Sequence, residues 1–372
     1  MAGVALLLVA GLAMTRGCGG EPPDRSVCAD GGTEEDAEAC RLADAAPPAV
    51  PPSPDPLPGP DGRAWRQLLE RRTPLHFPAA APDGQPLSRL QTSVESWSWE
   101  HIAEGLGAHV QGFRGPPGEY AFPYYEGNMP LEGVRASHTL RRSAEPGMYS
   151  GAELVRGIRE PPTGGRLLYA SQSLIRLKPD GSPDERALAR GPMPPIGAEL
   201  TDAVREMASG WPEGRMGSAS LWLGHAGSVT PLHFDTNHNV YVQLHGAKRV
   251  QLLPPSAATR AHLYPSLHPG YRQALLDISR PALARSGEGK RAAAARVLAE
   301  QAQTVVLRPG DALTIPPYWL HSIEALGPSD GGAAGVASVA CWFSAAEFLA
   351  SRSITPCTSG PLLHSSKRAS QE

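Results

Sequence analysis

A chain of 372 residues has room for one large domain with extensions, or for two domains. Its net charge is −3 and its isoelectric point lies near 6.5, so it carries no overall basic footprint for nucleic acid. With 40 glycines and 39 prolines it favours a turn-rich β architecture over a helical bundle.

Residues 2–14 are an apolar run, too short to span a bilayer comfortably but long enough for the central region of a secretory signal. No Lys or Arg precedes the run, and Arg16 close to Cys18 departs from a lipoprotein cleavage site. Residues 1–19 therefore read either as a cleaved signal peptide or as an uncleaved or misassigned start. The first reading sends the chain to the secretory pathway and ER lumen, the second to cytoplasm or nucleus. No other stretch is apolar enough to be a transmembrane segment.

Residues 20–63 are acidic and rich in Pro, Ala and Asp, a composition that cannot bury enough apolar surface to fold and reads as a disordered linker. Cys18, Cys28 and Cys40 lie in these first segments, and Cys341 and Cys357 near the other end. An odd count with no Cys-x-x-Cys pair gives no zinc signature. A Cys28–Cys40 disulfide would suit a secreted chain and free thiols the alternative, while Cys341 sits in an apolar strand pattern that reads as core.

Folded structure is expected from about Trp65. Segments 64–71, 98–105 and 149–158 read as helices, Ser96 or Ser98 being an N-cap for the second, and Pro-Pro-Thr-Gly-Gly at 161–165 is a breaker. From about 217 the rhythm changes to strands and tight turns. Strands are expected at 218–223, 229–235, 239–244, 248–253, 304–307, 312–315, 319–325 and 337–343, with a hairpin at 245–247 and an Ala-rich helix at 291–302. About eight short strands with this turn chemistry predict a closed or jelly-roll-like antiparallel barrel. It would occupy 217–345 with an insert at 256–303, after a helical and β elaboration over 64–216 and before a tail at 346–372.

The chemistry concentrates in Val-Thr-Pro-Leu-His-Phe-Asp, residues 229–235. On a strand, His233 and Asp235 two apart share one face. His321 follows a second strand-like run, Asp-Ala-Leu-Thr-Ile-Pro-Pro-Tyr-Trp-Leu, at 311–320. Two imidazoles and one carboxylate meeting at a point make the facial triad of a non-haem Fe(II) oxygenase. A lone histidine in a β protein is more often a satisfied polar residue, but a carboxylate on the same face has no other reason to point inward. His225, His238, His245, His262 and His268 show no spacing logic and read as surface or loop residues.

Two longer segments carry a family resemblance. Leu-Trp-Leu-Gly-His-Ala-Gly-Ser-Val-Thr-Pro-Leu-His-Phe-Asp at 221–235, continuing through Gly-Ala-Lys-Arg at 246–249, is similar to the JmjC/cupin-like 2-oxoglutarate oxygenases. Arg-Pro-Gly-Asp at 308–311, leading to His321, resembles the second metal-binding strand of that family. Phe-Pro-Tyr-Tyr-Glu (122–126) and Arg-Leu-Leu-Tyr-Ala-Ser-Gln (166–172) resemble, in type and order, the subgroup containing the asparaginyl hydroxylase of hypoxia-inducible factor.

The resemblance implies a mainly β fold with flanking helices, a double-stranded β-helix or jelly-roll/cupin-like barrel. It implies His233, Asp235 and His321 as catalytic metal ligands, with Fe(II), 2-oxoglutarate and O2 as cofactor and cosubstrates. Lys248, 15 residues beyond His233, matches the family's cation for the distal carboxylate, where an ammonium makes a charge-assisted hydrogen bond. Thr230 and Tyr169 match the hydroxyls that assist it, and Asn239 an amide near the oxo acid. On residue type alone, Lys248 also reads as a solvated hairpin lysine, Thr230 as a turn cap and Tyr169 as a core aromatic.

The implied reaction hydroxylates a side chain of a protein or peptide substrate, with release of succinate and CO2. Tyr124 and Tyr125 resemble substrate-cleft aromatics. Three departures stand out: Leu320 precedes His321 where the family often has Trp, Ala340 stands where it has Asn, and its paired dimerisation helices have no counterpart after Phe343. A non-catalytic cupin-like binding module and a JmjC lysine demethylase remain as other readings, and the sequence names neither substrate nor oligomeric state.

Overall fold

The computed structural model describes residues 72–79, 88–123, 144–178, 182–184, 195–209, 217–264, 268, 270–279, 290–327 and 335–344. The expectations for 1–63, the helix at 64–71, Tyr124, Tyr125 and the tail at 346–372 lie outside them. Among the described residues no helix is long and apolar enough to cross a membrane.

The strands are β1 (Leu75–Phe77), β2 (Val110–Arg114), β3 (Glu145–Tyr149), β4 (Leu168–Arg176), β5 (Gly217–His225), β6 (Val229–Phe234), β7 (Asn237–His245), β8 (Ala247–Leu253), β9 (Gln303–Leu307), β10 (Ala312–Ile315), β11 (Leu320–Leu326) and β12 (Gly335–Ser344). They form two antiparallel sheets, in the orders β1-β10-β7-β12-β5-β4-β2-β3 and β6-β11-β8-β9. From β5 onward the chain steps from one sheet to the other at almost every turn. Among β5 to β12 only β8 and β9, which flank the insert, are consecutive and paired. This is the expected jelly-roll of eight strands over 217–344.

One local expectation fails for the same reason. The segment 245–247 is not a hairpin, because β7 belongs to the larger sheet and β8 to the smaller. It is a corner, turned at Gly246 with φ +64, where a Cβ would lie 2.9 Å from Val336 Cγ2. Upstream, β1 to β4 widen the larger sheet, and β4 pairs directly with β5 across residue 216.

Helices α1 (Ser88–Glu95), α2 (Trp99–Gly105), α3 (Gly151–Arg159) and α4 (Thr201–Ser209) precede the barrel, and α5 (Lys290–Gln301) closes the insert. Ser98 caps α2 by accepting from the His101 amide. Ser150 and Glu153 form a reciprocal capping box at α3, so this helix starts after Tyr149, which belongs to β3.

Three apolar clusters divide the molecule. One lies between the helices and the outer face of the larger sheet, including Ile102, Leu154, Leu223, Val339 and the expected core residue Cys341. A second packs the insert on the smaller sheet through Leu232, Phe234, Leu276 and Leu298. The third fills the space between the sheets with Tyr241, Val250, Leu252, Ile315 and Ala340. Along β12 the neighbours therefore alternate, Ala337, Val339 and Cys341 facing the helices and Ala340 the barrel. With both faces covered, no polar alternation survives in the sequence.

The histidines read as surface residues divide differently. His225 is 1% exposed; its Nδ1 accepts from the Leu168 amide at 2.7 Å and its Nε2 faces the Glu160 carbonyl at 3.0 Å. His238 is buried as well. His245 is half-buried, its ring stacked on Trp99 at 4.6 Å and its Nε2 2.7 Å from the Trp97 carbonyl. His225 and His245 are polar groups absorbed by the fold, each at a strand end and bonded to backbone groups of another segment.

Candidate metal centre

His233 lies on β6, Asp235 just beyond its end, and His321 on β11 directly across from His233. The two rings are 4.2 Å apart between centroids, and Asp235 Oδ2 is 3.8 Å from His321 Nε2. One ligand atom from each of the three lies within 4.8 Å of the others, a spacing that one ion can share. Both histidines are buried and Asp235 is partly exposed.

Backbone carbonyls set the tautomers. His233 Nδ1 is 2.8 Å from the Pro231 carbonyl and His321 Nδ1 is 3.0 Å from the Trp319 carbonyl. A carbonyl only accepts, so each Nδ1 carries the proton and each Nε2 presents a lone pair. Burial, then the neighbouring His321, holds His233 down to about 4, which keeps it neutral and ligand-ready at neutral pH. Burial pushes Asp235 upward, but His233, His321 and Arg272 outweigh it and hold the carboxyl below its ordinary value. The donor set of two neutral imidazoles and one carboxylate fits Fe(II), which is bound by such facial sets.

Three residues that the sequence did not single out hold Asp235. Trp342 on β12 donates its indole N–H to Oδ2 at 3.3 Å, and Arg272 from the insert places Nη1 3.5 Å from Oδ1. The amide of Tyr318 donates to the Asp235 carbonyl at 2.7 Å. Tyr318 has φ +67 and Arg272 φ +73, left-handed values that side chains adopt at a cost. Strain thus sits at two of the three segments that touch Asp235. The expected Trp one position before His321 is absent, yet Trp319 still orients the ring through its carbonyl.

The remaining expected residues line the barrel. Tyr169 Oη and Thr230 Oγ1 are 2.8 Å apart, and Phe122 stacks on the Tyr169 ring at 4.9 Å. Burial pushes Tyr169 up to about 12 despite the Thr230 hydroxyl, so the phenol stays neutral. Asn239 is buried next to Trp342 in the strand register, and its Oδ1 has no hydrogen-bond partner.

Lys248 is buried rather than solvated. Its Nζ donates to Tyr241 Oη at 2.6 Å and Ser338 Oγ at 2.7 Å, and among the described residues no carboxylate pairs with it. Burial pulls the ammonium down to about 7. Lys248 stands four residues along β8 from Leu252, the cross-strand partner of His321. Cation and triad therefore sit about 13 Å apart along the backbone, at two depths of one barrel. An ammonium held only by two neutral hydroxyls among the described residues fits the far carboxylate of a short dicarboxylic acid. Tyr241 and Ser338 lacked any sequence signal, because their role depends on β7, β8 and β12 meeting across the interior.

The comparisons agree with this geometry. Residues 183–347 match the model of the cupin-like domain. The Jumonji C domain-containing protein 5 of Drosophila melanogaster is 33% identical over 108 residues, 29% of this chain and 25% of that protein. The lysine-specific demethylase JMJ30 of Arabidopsis thaliana is 31% identical over 131 residues, 35% of this chain and 27% of that protein. The human HSPB1-associated protein 1 is 33% identical over 135 residues, 35% of this chain and 25% of that protein. The chain thus spans about a quarter of the length of these relatives. The two-sheet barrel with its convergent triad lies within the segment that matches the cupin-like domain, and in that segment the chain is similar to these JmjC-type proteins.

Proposed function

We propose that this chain is an Fe(II)- and 2-oxoglutarate-dependent dioxygenase that hydroxylates a side chain of a protein or peptide. The observation that carries the reading is the combination of a convergent His233–Asp235–His321 set with a buried Lys248 ammonium that has no carboxylate partner among the described residues. When bound, iron and 2-oxoglutarate would supply oxidative decarboxylation to succinate and CO2, coupled to oxygenation of a C–H bond.

The chain's own residues supply position and exclusion of water. His233, Asp235 and His321 would hold the metal, leaving the remaining coordination positions to cosubstrates. Lys248, Tyr241 and Ser338 would bind the distal carboxylate, with Tyr169 and Thr230 as neutral hydroxyls beside them. Asn239 Oδ1 offers an unused acceptor near the metal end. Trp342 and Arg272 would keep Asp235 oriented and ionised.

The test is succinate release from 2-oxoglutarate by the full chain with Fe(II) and O2, followed by mass spectrometry of a peptide array. Turnover with a 16-dalton gain on a peptide supports the reading, the mass of one oxygen atom. Loss of methyl groups from lysine peptides would favour demethylation, and absence of metal binding would favour a non-catalytic binding module.

A further inference from the structure

The barrel interior holds a buried donor that nothing among the described residues satisfies. Trp222 Nε1 is shielded from solvent and has no hydrogen-bond partner. The indoles of Trp342, Trp319 and Trp97 all find acceptors, in Asp235, the Arg72 carbonyl and Glu199. An N–H left unpaired in the interior costs free energy, and such groups are few in native structures. A ligand oxygen arriving in the barrel would remove that cost.

The position of Trp222 says which ligand. It lies on β5, and its cross-strand neighbour on β12 is Ser338, the hydroxyl that accepts from Lys248. Its ring centroid is 6.1 Å from that of Tyr169 and 6.0 Å, edge-on, from that of Trp342. Tyr169 belongs to the hydroxyl pair with Thr230, and Trp342 touches the triad through Asp235. Trp222 therefore stands between the cation end and the metal end. Ala340, which is fully buried in the same interior cluster, presents only a methyl group there and offers the indole no acceptor.

We propose that Trp222 is a cosubstrate-binding residue whose indole N–H donates to an oxygen of the bound dicarboxylate. This rests on the 2-oxoglutarate reading above. It assigns to the larger sheet a directional contact that adds to the charge of Lys248. Phenylalanine at this position would keep an aromatic wall against Tyr169 and Trp342 while removing the donor.

The experiment is isothermal titration of 2-oxoglutarate into the full chain loaded with Zn(II), a redox-inert stand-in, for wild type, Trp222→Phe and Lys248→Met. In parallel, the indole resonances of wild-type protein labelled with 15N are followed during the titration. The Trp222 peak is assigned by its absence from Trp222→Phe. We expect Trp222→Phe to weaken cosubstrate binding about tenfold, the loss of one hydrogen bond to a charged group, with Zn(II) affinity unchanged. We also expect the wild-type Trp222 indole proton to shift downfield on saturation.

If wild type binds and Lys248→Met does not, but the Trp222 peak stays still and Trp222→Phe binds as wild type does, the Trp222 inference is wrong and the cosubstrate reading stands. If wild type itself fails to bind 2-oxoglutarate, both fall. If Trp222→Phe folds poorly, the peak is assigned from Trp222→Tyr instead, and the resonance shift in wild-type protein decides the matter.

Discussion

The ammonium of Lys248 donates to the phenol of Tyr241 at 2.6 Å, deep between the two sheets, with Ser338 as its only other partner in the described structure. Two neutral hydroxyls solvate a charge less well than water does. Burial accordingly draws Lys248 from its ordinary 10.5 down to about 7. That corresponds to a destabilisation on the order of 4 kcal/mol at neutral pH.

Lys248→Met should therefore stabilise the ligand-free protein while disabling the pocket. We expect a gain on the order of 2 kcal/mol in urea unfolding, smaller than the full penalty because Tyr241 and Ser338 lose a partner. Cosubstrate affinity should fall by at least about a hundredfold in the same variant. A variant less stable than wild type would show that Lys248 is not strained by burial.

The same lysine gives a pH signature. Because its folded value is depressed, the unfolded chain binds more protons between about 7 and 10.5, and stability should rise with pH through that window. Binding runs the other way. An anion needs the ammonium, so 2-oxoglutarate affinity should be level below about 7 and weaken up to tenfold per pH unit above it, with proton uptake. Calorimetry in buffers of different ionisation enthalpy would measure that uptake, and none at pH 8 would contradict the assignment.

Metal should stabilise the fold through the triad. At a free-metal concentration of a hundred times Kd the gain should be about 2.7 kcal/mol, seen as a higher Tm that a chelator reverses. His233→Ala and His321→Ala should abolish the metal-dependent rise, since each removes one of three ligands. Thermal melts of all three proteins with and without Fe(II) under anaerobic conditions provide the check.

His225 offers a prediction away from the chemistry. Replacing it by Leu would leave the Leu168 amide and the Glu160 carbonyl without their present partner, at a cost of roughly 2–4 kcal/mol. Burial, partly offset by the backbone bonds, holds its ring below the ordinary 6.5. Folded protein then takes up the proton after unfolded protein does, so this contribution is full above about 6.5 and is lost as pH falls. Urea titrations of wild type and His225→Leu at pH 5 and 7.5 should differ less at the lower pH.

Much of the site was legible because it is written in short spacings. His233 and Asp235 two apart and the turn before His321 point to a triad from residue type, the offset to Lys248 gains meaning only through the family resemblance, and the barrel brings the triad together. The apolar strand runs of 217–345 announced eight strands, since β-branched and aromatic stretches between Gly and Pro punctuation have few other uses. What was not legible was which strands pair. The corner at Gly246 looks like a hairpin locally, and only the assignment of β7 and β8 to different sheets corrects it.

The ligand types and the strand content could be read from the chain, because they depend on residue chemistry and on intervals of a few residues, whereas the role of Lys248 came from its offset within the family pattern. Tertiary structure alone decided that Tyr241 and Ser338 solvate Lys248, that Trp342 and Arg272 grip Asp235, and that Trp222 is left with a buried N–H. Each of those relationships joins residues between 7 and 107 positions apart, across two strands or between a strand and the insert. Contacts of that kind are fixed by sheet order and packing, which no local pattern encodes.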